Sequence, residues 1–190
     1  MRQTVIALVV LLSSAPAFAQ AVPAYKPAPK SAGAGPVMVV ETEKGTFEIE
    51  TYPGEAPKTV EHILALVRRN FYNGQRVHRV VSGFVVQFGD PQTRDMTKRD
   101  SWGGGWASGS GKPVGVSEAN PKRTHVVGAV ALAHGGDPKS GDSQMYITLA
   151  ATPRLNGDYT VFGKVISGMD VVRKLVITDR IRRVTVRAEG

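Results

Sequence analysis

The stretch Val77-His78-Arg79-Val80-Val81-Ser82-Gly83-Phe84-Val85-Val86-Gln87 places the tightest limit on what this chain can fold into. Two β-branched, apolar runs flank a Ser-Gly step, the pattern of a β-hairpin. An arginine and a glutamine sit among them. A cation in an apolar run must pair, face water or face a ligand, because an isolated buried charge is too costly. The turn decides which neighbours it has. A two-residue turn at Ser82-Gly83 would set Arg79 opposite Val86 and send Gln87 to the other face. A three-residue loop, Ser82-Gly83-Phe84, or a bulge would set Arg79 beside Gln87.

The other segments suit a sheet-rich domain. Val37 to Glu41 and Thr46 to Glu50 read as paired strands across Lys44-Gly45. Ala56-Pro57 opens a helix, with proline near the first helical position. Val60, Ile63, Leu64 and Val67 follow the spacing of one buried helical face, and Arg68, Arg69 and Asn70 suit its last turn. Val126 to Ala133, Ser143 to Leu149 and Tyr159 to Ile166 are apolar runs of strand length. Met169 to Leu175 has a short helical pattern after Ser167-Gly168, and Ile177 to Val186 alternates as a final strand. About eight strands, mostly antiparallel, and two helices predict a mainly β fold: a closed eight-stranded antiparallel β-barrel capped by two α-helices.

One long connection interrupts this pattern. Asp90 to Thr124 is poor in apolar residues and contains the glycine-rich stretch from Gly103 to Gly111. A loop of this length in a small domain is usually functional or partly disordered. Gly111-Lys112 lacks the preceding glycine and the following Ser/Thr of a phosphate-binding loop. Trp102 and Trp106 read as pins that pack the loop down rather than as ligand platforms.

The N-terminus has the layout of an export signal. Arg2 supplies the positive start, Thr4 to Leu12 the apolar core, and Ala17-Phe18-Ala19 a small-x-small cleavage site. Residues 1–19 are therefore expected to be a signal peptide, and the mature protein to be periplasmic or secreted. The apolar run is too short to span a bilayer, so no stable membrane insertion is expected after cleavage. Residues 20–35 read as an Ala/Pro-rich linker, and 36–190 as one domain, expected to be monomeric. The chain has no cysteine, which excludes disulfides, thiol catalysis and Cys-ligated zinc. The net charge is +8, but the basic residues are dispersed. The cluster Arg180, Arg182, Arg183 and Arg187 reads as a charge-protected sheet edge rather than a nucleic-acid surface.

Little catalytic apparatus is evident. There is no Gly-x-Ser-x-Gly elbow. His62, His78, His125 and His134 show no metal-ligand spacing, and no cofactor is expected. His62 and His125 read as surface residues, and His78 as a satisfied interior histidine. What remains suits a peptide-binding face: Arg79, Phe84 and Gln87 on the hairpin, Gln144 and Tyr146 on one strand, and Leu155 and Tyr159 around a turn.

Five segments then carry a specific likeness. In order they are the Tyr-x-Gly step Tyr72-Asn73-Gly74, Val77 to Gln87, Ala131-Leu132-Ala133-His134, Ser143-Gln144-Met145-Tyr146-Ile147, and Val161-Phe162-Gly163-Lys164-Val165. Together they resemble the cyclophilin-type peptidyl-prolyl cis-trans isomerases, over roughly Val37 to Val186. The resemblance implies an eight-stranded barrel with its site on the outer face, and proline-containing unfolded or flexible polypeptides as substrates. It implies that Arg79 is catalytic, and that Phe84, Val85, Tyr146 and Leu155 form the proline pocket. Gln87 would hold the arginine and the substrate. Ala133, His134 and Gly135 would bind substrate backbone, with Gln144 and Tyr159 adjoining. The chain departs from the common pattern at Val85 (often methionine), Tyr146 (phenylalanine), His134 (asparagine), Arg154 (tryptophan) and Tyr159 (histidine).

Overall fold

The computed structural model describes residues 28–104 and 109–187. The expected signal peptide, the first part of the linker and Trp106 lie outside the described residues. Eight strands form one sheet: β1 (Val37–Thr42), β2 (Gly45–Thr51), β3 (Arg79–Val81), β4 (Val85–Phe88), β5 (Ala129–Leu132), β6 (Met145–Thr148), β7 (Val161–Ser167) and β8 (Ile181–Val186). The helices are α1 (Pro57–Arg68) and α2 (Met169–Lys174). The strands run in the order β3-β4-β6-β5-β7-β2-β1-β8, and every paired neighbour is antiparallel.

The sheet curls as a half-barrel, which corrects the expected closed barrel. Its two ends, β3 and β8, share no ladder and meet near the isolated bridge between Arg76 and Arg180. The physical reason lies in the ends themselves. β3 is only three residues long. The expected last strand is also shortened, because Thr178 takes a positive φ of 82° and the chain turns there before β8 begins at Ile181.

Strand alternation makes two apolar layers. The inner layer holds Met38, Val40, Phe47, Ile49, Val86, Phe88, Val130, Leu132, Ile147 and Phe162, closed over by Ile63, Leu66 and Val67 of α1. A smaller outer layer holds Val85, Ala129, Ala131, Ala133, Tyr146 and Val161. The helices lie where their faces predict, α1 against β8 and α2 against β2. α1 has Pro57 in its first turn and no side-chain cap of its own. Glu118, far along the chain, accepts from the Lys58 and Thr59 amides at 3.0 and 2.8 Å. A carboxylate there satisfies orphan donors and meets the positive end of the helix dipole.

The ends of the described chain are fastened together. Glu48, fully buried, accepts from the Ala28 amide at 2.9 Å and pairs with Arg187 at 2.9 Å. Arg187 also donates to the Ala28 carbonyl. Glu50 accepts from the Ser31 amide and hydroxyl, both at 2.8 Å, and from the Tyr52 hydroxyl.

Ile147 occupies the centre of the inner layer, between Val86 and Val130, and is wholly buried. Ile147→Ala should lower unfolding free energy by about 2–5 kcal/mol, through lost burial plus a cavity. Urea unfolding measures it, and a loss below about 1 kcal/mol would show that the two sheet segments do not lock together there.

Candidate active site

The outer layer becomes a site because its strands carry small residues at the centre and larger ones around them. Ala131 and Ala133 leave space between Tyr146 on β6 and Val161 on β7. The resulting hollow encloses about 120 Å³. Val85, Phe84, Tyr146 and Leu155 give it apolar walls, Ala133 and His134 flank it, and Arg79, Gln87 and Tyr159 complete the lining. Nine of the eleven predicted site residues therefore meet here. Gln144 is buried behind Gln87, and Gly135 is exposed and does not line the hollow.

The hairpin turn is the wide one. Arg79 pairs with Gln87 and Val81 with Val85, leaving Ser82, Gly83 and Phe84 as the loop. Gly83 takes φ +67°, the left-handed value such loops require. Arg79 and Gln87 therefore share the outer face. Arg79 Nη1 donates to Gln87 Oε1 at 3.3 Å, Gln87 Nε2 donates to Gln144 Oε1 at 3.0 Å, and Gln144 Nε2 reaches the Gly103 carbonyl at 3.5 Å. This chain of amides holds one side of the guanidinium. Gly103 cannot carry a side chain without strain: its φ is +78°, and a Cβ would lie 3.0 Å from His78.

An aromatic stack supports the other side of the hollow. The His134 and Tyr159 rings lie 4.2 Å apart at 23°, and Tyr159 meets Tyr146 edge-on. His134 accepts the Gly136 amide at Nδ1, which leaves Nε2–H to donate to the Asp158 carbonyl at 3.1 Å. Behind Tyr146 stands His125. Its Nδ1 faces Asn156 Oδ1 at 2.9 Å, so Nδ1 carries the proton and Nε2 accepts from the Tyr146 hydroxyl, also at 2.9 Å. Burial pushes the Tyr146 phenol well up, so it remains a donor. Burial also lowers His125, against a smaller opposing pull from Asn156.

Residues 37–188 match the family described as cyclophilin type peptidyl-prolyl cis-trans isomerase/CLD. The chain belongs to this family. The cyclophilin is 35% identical over 145 residues to a peptidyl-prolyl cis-trans isomerase-like 1 of Rhizopus delemar, covering 75% of this chain and 82% of that one. It is 34% identical over 154 residues to the peptidyl-prolyl cis-trans isomerase CYP18-2 of Arabidopsis thaliana, covering 80% and 88%. Its fold matches a crystal structure of a Cryptosporidium parvum cyclophilin type isomerase with TM-score 0.66 at 23% identity, covering 82% and 99%. Another structure of that protein was determined in the presence of the dipeptide Ala-Pro, with TM-score 0.65 at 23% identity, covering 80% and 99%. The cyclophilin's activity is peptidyl-prolyl cis-trans isomerisation.

Three histidines of the cyclophilin, His125, His62 and His78, differ from their sequence expectation. His125, expected at the surface, is buried at 2% exposure beneath Tyr146. The basic residues before it suggested a surface turn; the signal that could have corrected this is Asn156, whose amide reaches back across the chain to it. His62, expected to be solvated, is half-buried and meets Asp142 at 2.8 Å. Asp142 also accepts from the Ser110 amide and hydroxyl. Burial raises the Asp142 carboxyl, but these hydrogen bonds outweigh it and bring the net value down. Through Ser110 the carboxylate ties the glycine-rich loop to the start of β6.

A second, wider hollow of about 440 Å³ opens beside Arg79, floored by His78 and bounded by Trp102 and Gly103. Trp102 is half-buried, with Nε1–H donating to the Asp95 carbonyl at 3.2 Å. His78, expected to be a satisfied interior histidine, is not satisfied. Among the described residues neither of its ring nitrogens has a well-formed hydrogen bond, because the neighbouring Gln144 amide is committed to Gln87 and the Gly103 carbonyl. Burial pushes this imidazole down to about 4, against smaller opposing contributions from Asp90 and Gln144. The unfolded chain binds this proton near pH 6.5 and the folded one refuses it until about pH 4. The cyclophilin should therefore lose about 2–3 kcal/mol of stability as pH falls from 6.5 to 4. His78→Gln should flatten that slope in urea unfolding, leaving the smaller share due to His125; an unchanged slope would rule His78 out as its source.

Proposed function

We propose that Arg79 is the catalytic residue and that the apolar hollow receives the proline ring. Rotation about an X-Pro bond crosses a barrier of about 18–20 kcal/mol, set by resonance between nitrogen and carbonyl. At the twisted transition state the proline nitrogen becomes pyramidal and regains a lone pair. A guanidinium N–H can donate to that lone pair, an interaction largely absent from the planar ground state, so it lowers the barrier selectively. The observation that carries this reading is the Arg79 guanidinium, bonded on one side to Gln87 and lining the same hollow as Phe84, Val85, Tyr146 and Leu155. Arginine is charged at any working pH and its planar fork serves both partners at once. Ala133 and His134 flank the hollow, where they would bind substrate backbone. The reaction needs no nucleophile and no net proton transfer.

The substrates on this reading are proline-containing unfolded or flexible polypeptides. The Ala-Pro dipeptide associated with the Cryptosporidium parvum relative supports the choice. The N-terminal pattern of Arg2, Thr4 to Leu12 and Ala17-Phe18-Ala19 further supports export, so the clients would be proteins folding in the periplasm or outside the cell.

Arg79→Ala should reduce kcat/KM for an X-Pro peptide by about 10²-fold or more, the scale of losing one preorganised transition-state donor. Arg79→Lys should restore only part of it, because a lysine cannot serve Gln87 and the substrate through one planar group. Near-normal turnover in Arg79→Ala would overturn the assignment. When the full chain is expressed in a Gram-negative host, intact-mass measurement of the soluble envelope fraction should give a chain starting at Gln20. A chain retaining Met1 would overturn the export reading.

A further inference from the structure

The geometry points to a second cationic subsite at the rim of the proline hollow, in which Arg154 selects client segments carrying an acidic side chain close to the proline. This rests on the reading of that hollow as the proline site. Phe84 is the shared wall. One side of it lines the hollow with Arg79 and Leu155. It also borders a shallow groove of about 330 Å³ with Gly83, Ala151, Thr152, Pro153 and Arg154. A chain whose proline sits in the hollow passes within reach of the groove, because Leu155 and Arg154 are consecutive residues contributing to one site each.

Two guanidinium groups converge on this ring. Arg154 Cζ lies 4.6 Å from the Phe84 centroid and Arg79 Cζ lies 5.5 Å from it. A cation against an aromatic ring is oriented without being neutralised. Among the described residues, neither arginine forms a salt bridge with a carboxylate, whereas Arg123, Arg183 and Arg187 each do. Nor is Arg154 on a loose segment. It sits in the single helical turn Pro153–Leu155, where the Leu155 amide donates to the Thr152 carbonyl and the Asn156 amide to the Pro153 carbonyl. The Thr152 amide donates in turn to the His125 carbonyl, which fastens the turn to the aromatic stack.

The nearest opposing charge in sequence is Asp158, which acts on Tyr146 rather than pairing with Arg154. The groove's own lining is otherwise uncharged. An incoming carboxylate therefore meets an oriented, unpaired guanidinium with Arg79 close behind, the arrangement that favours charge-assisted hydrogen bonds. A lysine in the same client position meets repulsion from both.

The test uses the full protein and peptides that differ only in carrying Glu, Gln or Lys at one of three positions on either side of a single proline. Turnover is read by NMR exchange, which needs no coupling protease. For at least one position the Glu peptide should exceed the Gln peptide in kcat/KM by about 3- to 10-fold at low salt, and the Lys peptide should fall below it. The Glu/Gln ratio should shrink in 1 M salt. It should approach one in Arg154→Gln, stay above one in Arg154→Lys and fall below one in Arg154→Glu. A ratio near one at every position in the wild type, or a ratio that survives Arg154→Gln, would overturn the proposal. If no peptide is turned over above background, the reading of the hollow as a catalytic site fails separately. The same ratios are then taken from dissociation constants by NMR titration and judged by the same outcomes.

Discussion

A β-strand has a side-chain period of two, so the length of one turn decides which residues can cooperate across a hairpin. Here the Ser82-Gly83-Phe84 loop, with Gly83 at φ +67°, sets Arg79 directly opposite Gln87. Everything else in the site inherits this register. β4 passes it to β6 by pairing Gln87 with Tyr146, and β6 passes it to β5 by pairing Tyr146 with Ala131. A shift of one residue would turn Gln87 and Tyr146 inward and bring Val86 and Ile147 out. The inner layer and the substrate face would be lost together. Stability and catalysis are thus tied to the same hydrogen-bond ladder.

The cationic centre is held by neutral groups rather than by a carboxylate. Gln87, Gln144 and the Gly103 carbonyl form a line of hydrogen bonds in which no member competes for the arginine's charge. A paired carboxylate would spend much of that charge before substrate arrived. The aromatic side follows the same logic: His125 and His134 each have one ring nitrogen committed as donor and one as acceptor. They act there as fixed neutral struts.

Much of this was legible from local pattern. Pro57 and the apolar spacing on α1 marked a helix, and the alternation around Arg79 marked a hairpin whose loop length was the deciding question. Runs such as Val126 to Ala133 overreached, because Gly128 at φ +80° turns the chain and leaves Val126 and Val127 exposed ahead of β5. Hydrophobicity alone does not register a turn of that kind. The family likeness supplied nearly all of the hollow's lining. It could not supply His125 with Asn156, or Asp142 with His62 and Ser110, since these contacts join residues far apart in sequence through polar groups with no periodicity. Closure of the sheet was also beyond reach, since it depends on where two short end strands stop.

The buried Glu48 has a consequence for the chain's connectivity. It gathers Ala28 and Arg187 around one carboxylate, and Arg187 also bonds the Ala28 carbonyl directly. The polypeptide thus enters and leaves the domain at nearly the same point, with the outer-face hollow built from the opposite end of the strand order, β3, β4, β6 and β5. A short bridge between these two points would close the backbone into a ring with little rearrangement of the sheet. The order in which the strands are threaded is then a separate matter from the surface they build, and a permuted chain opened at an exposed turn could present the same face.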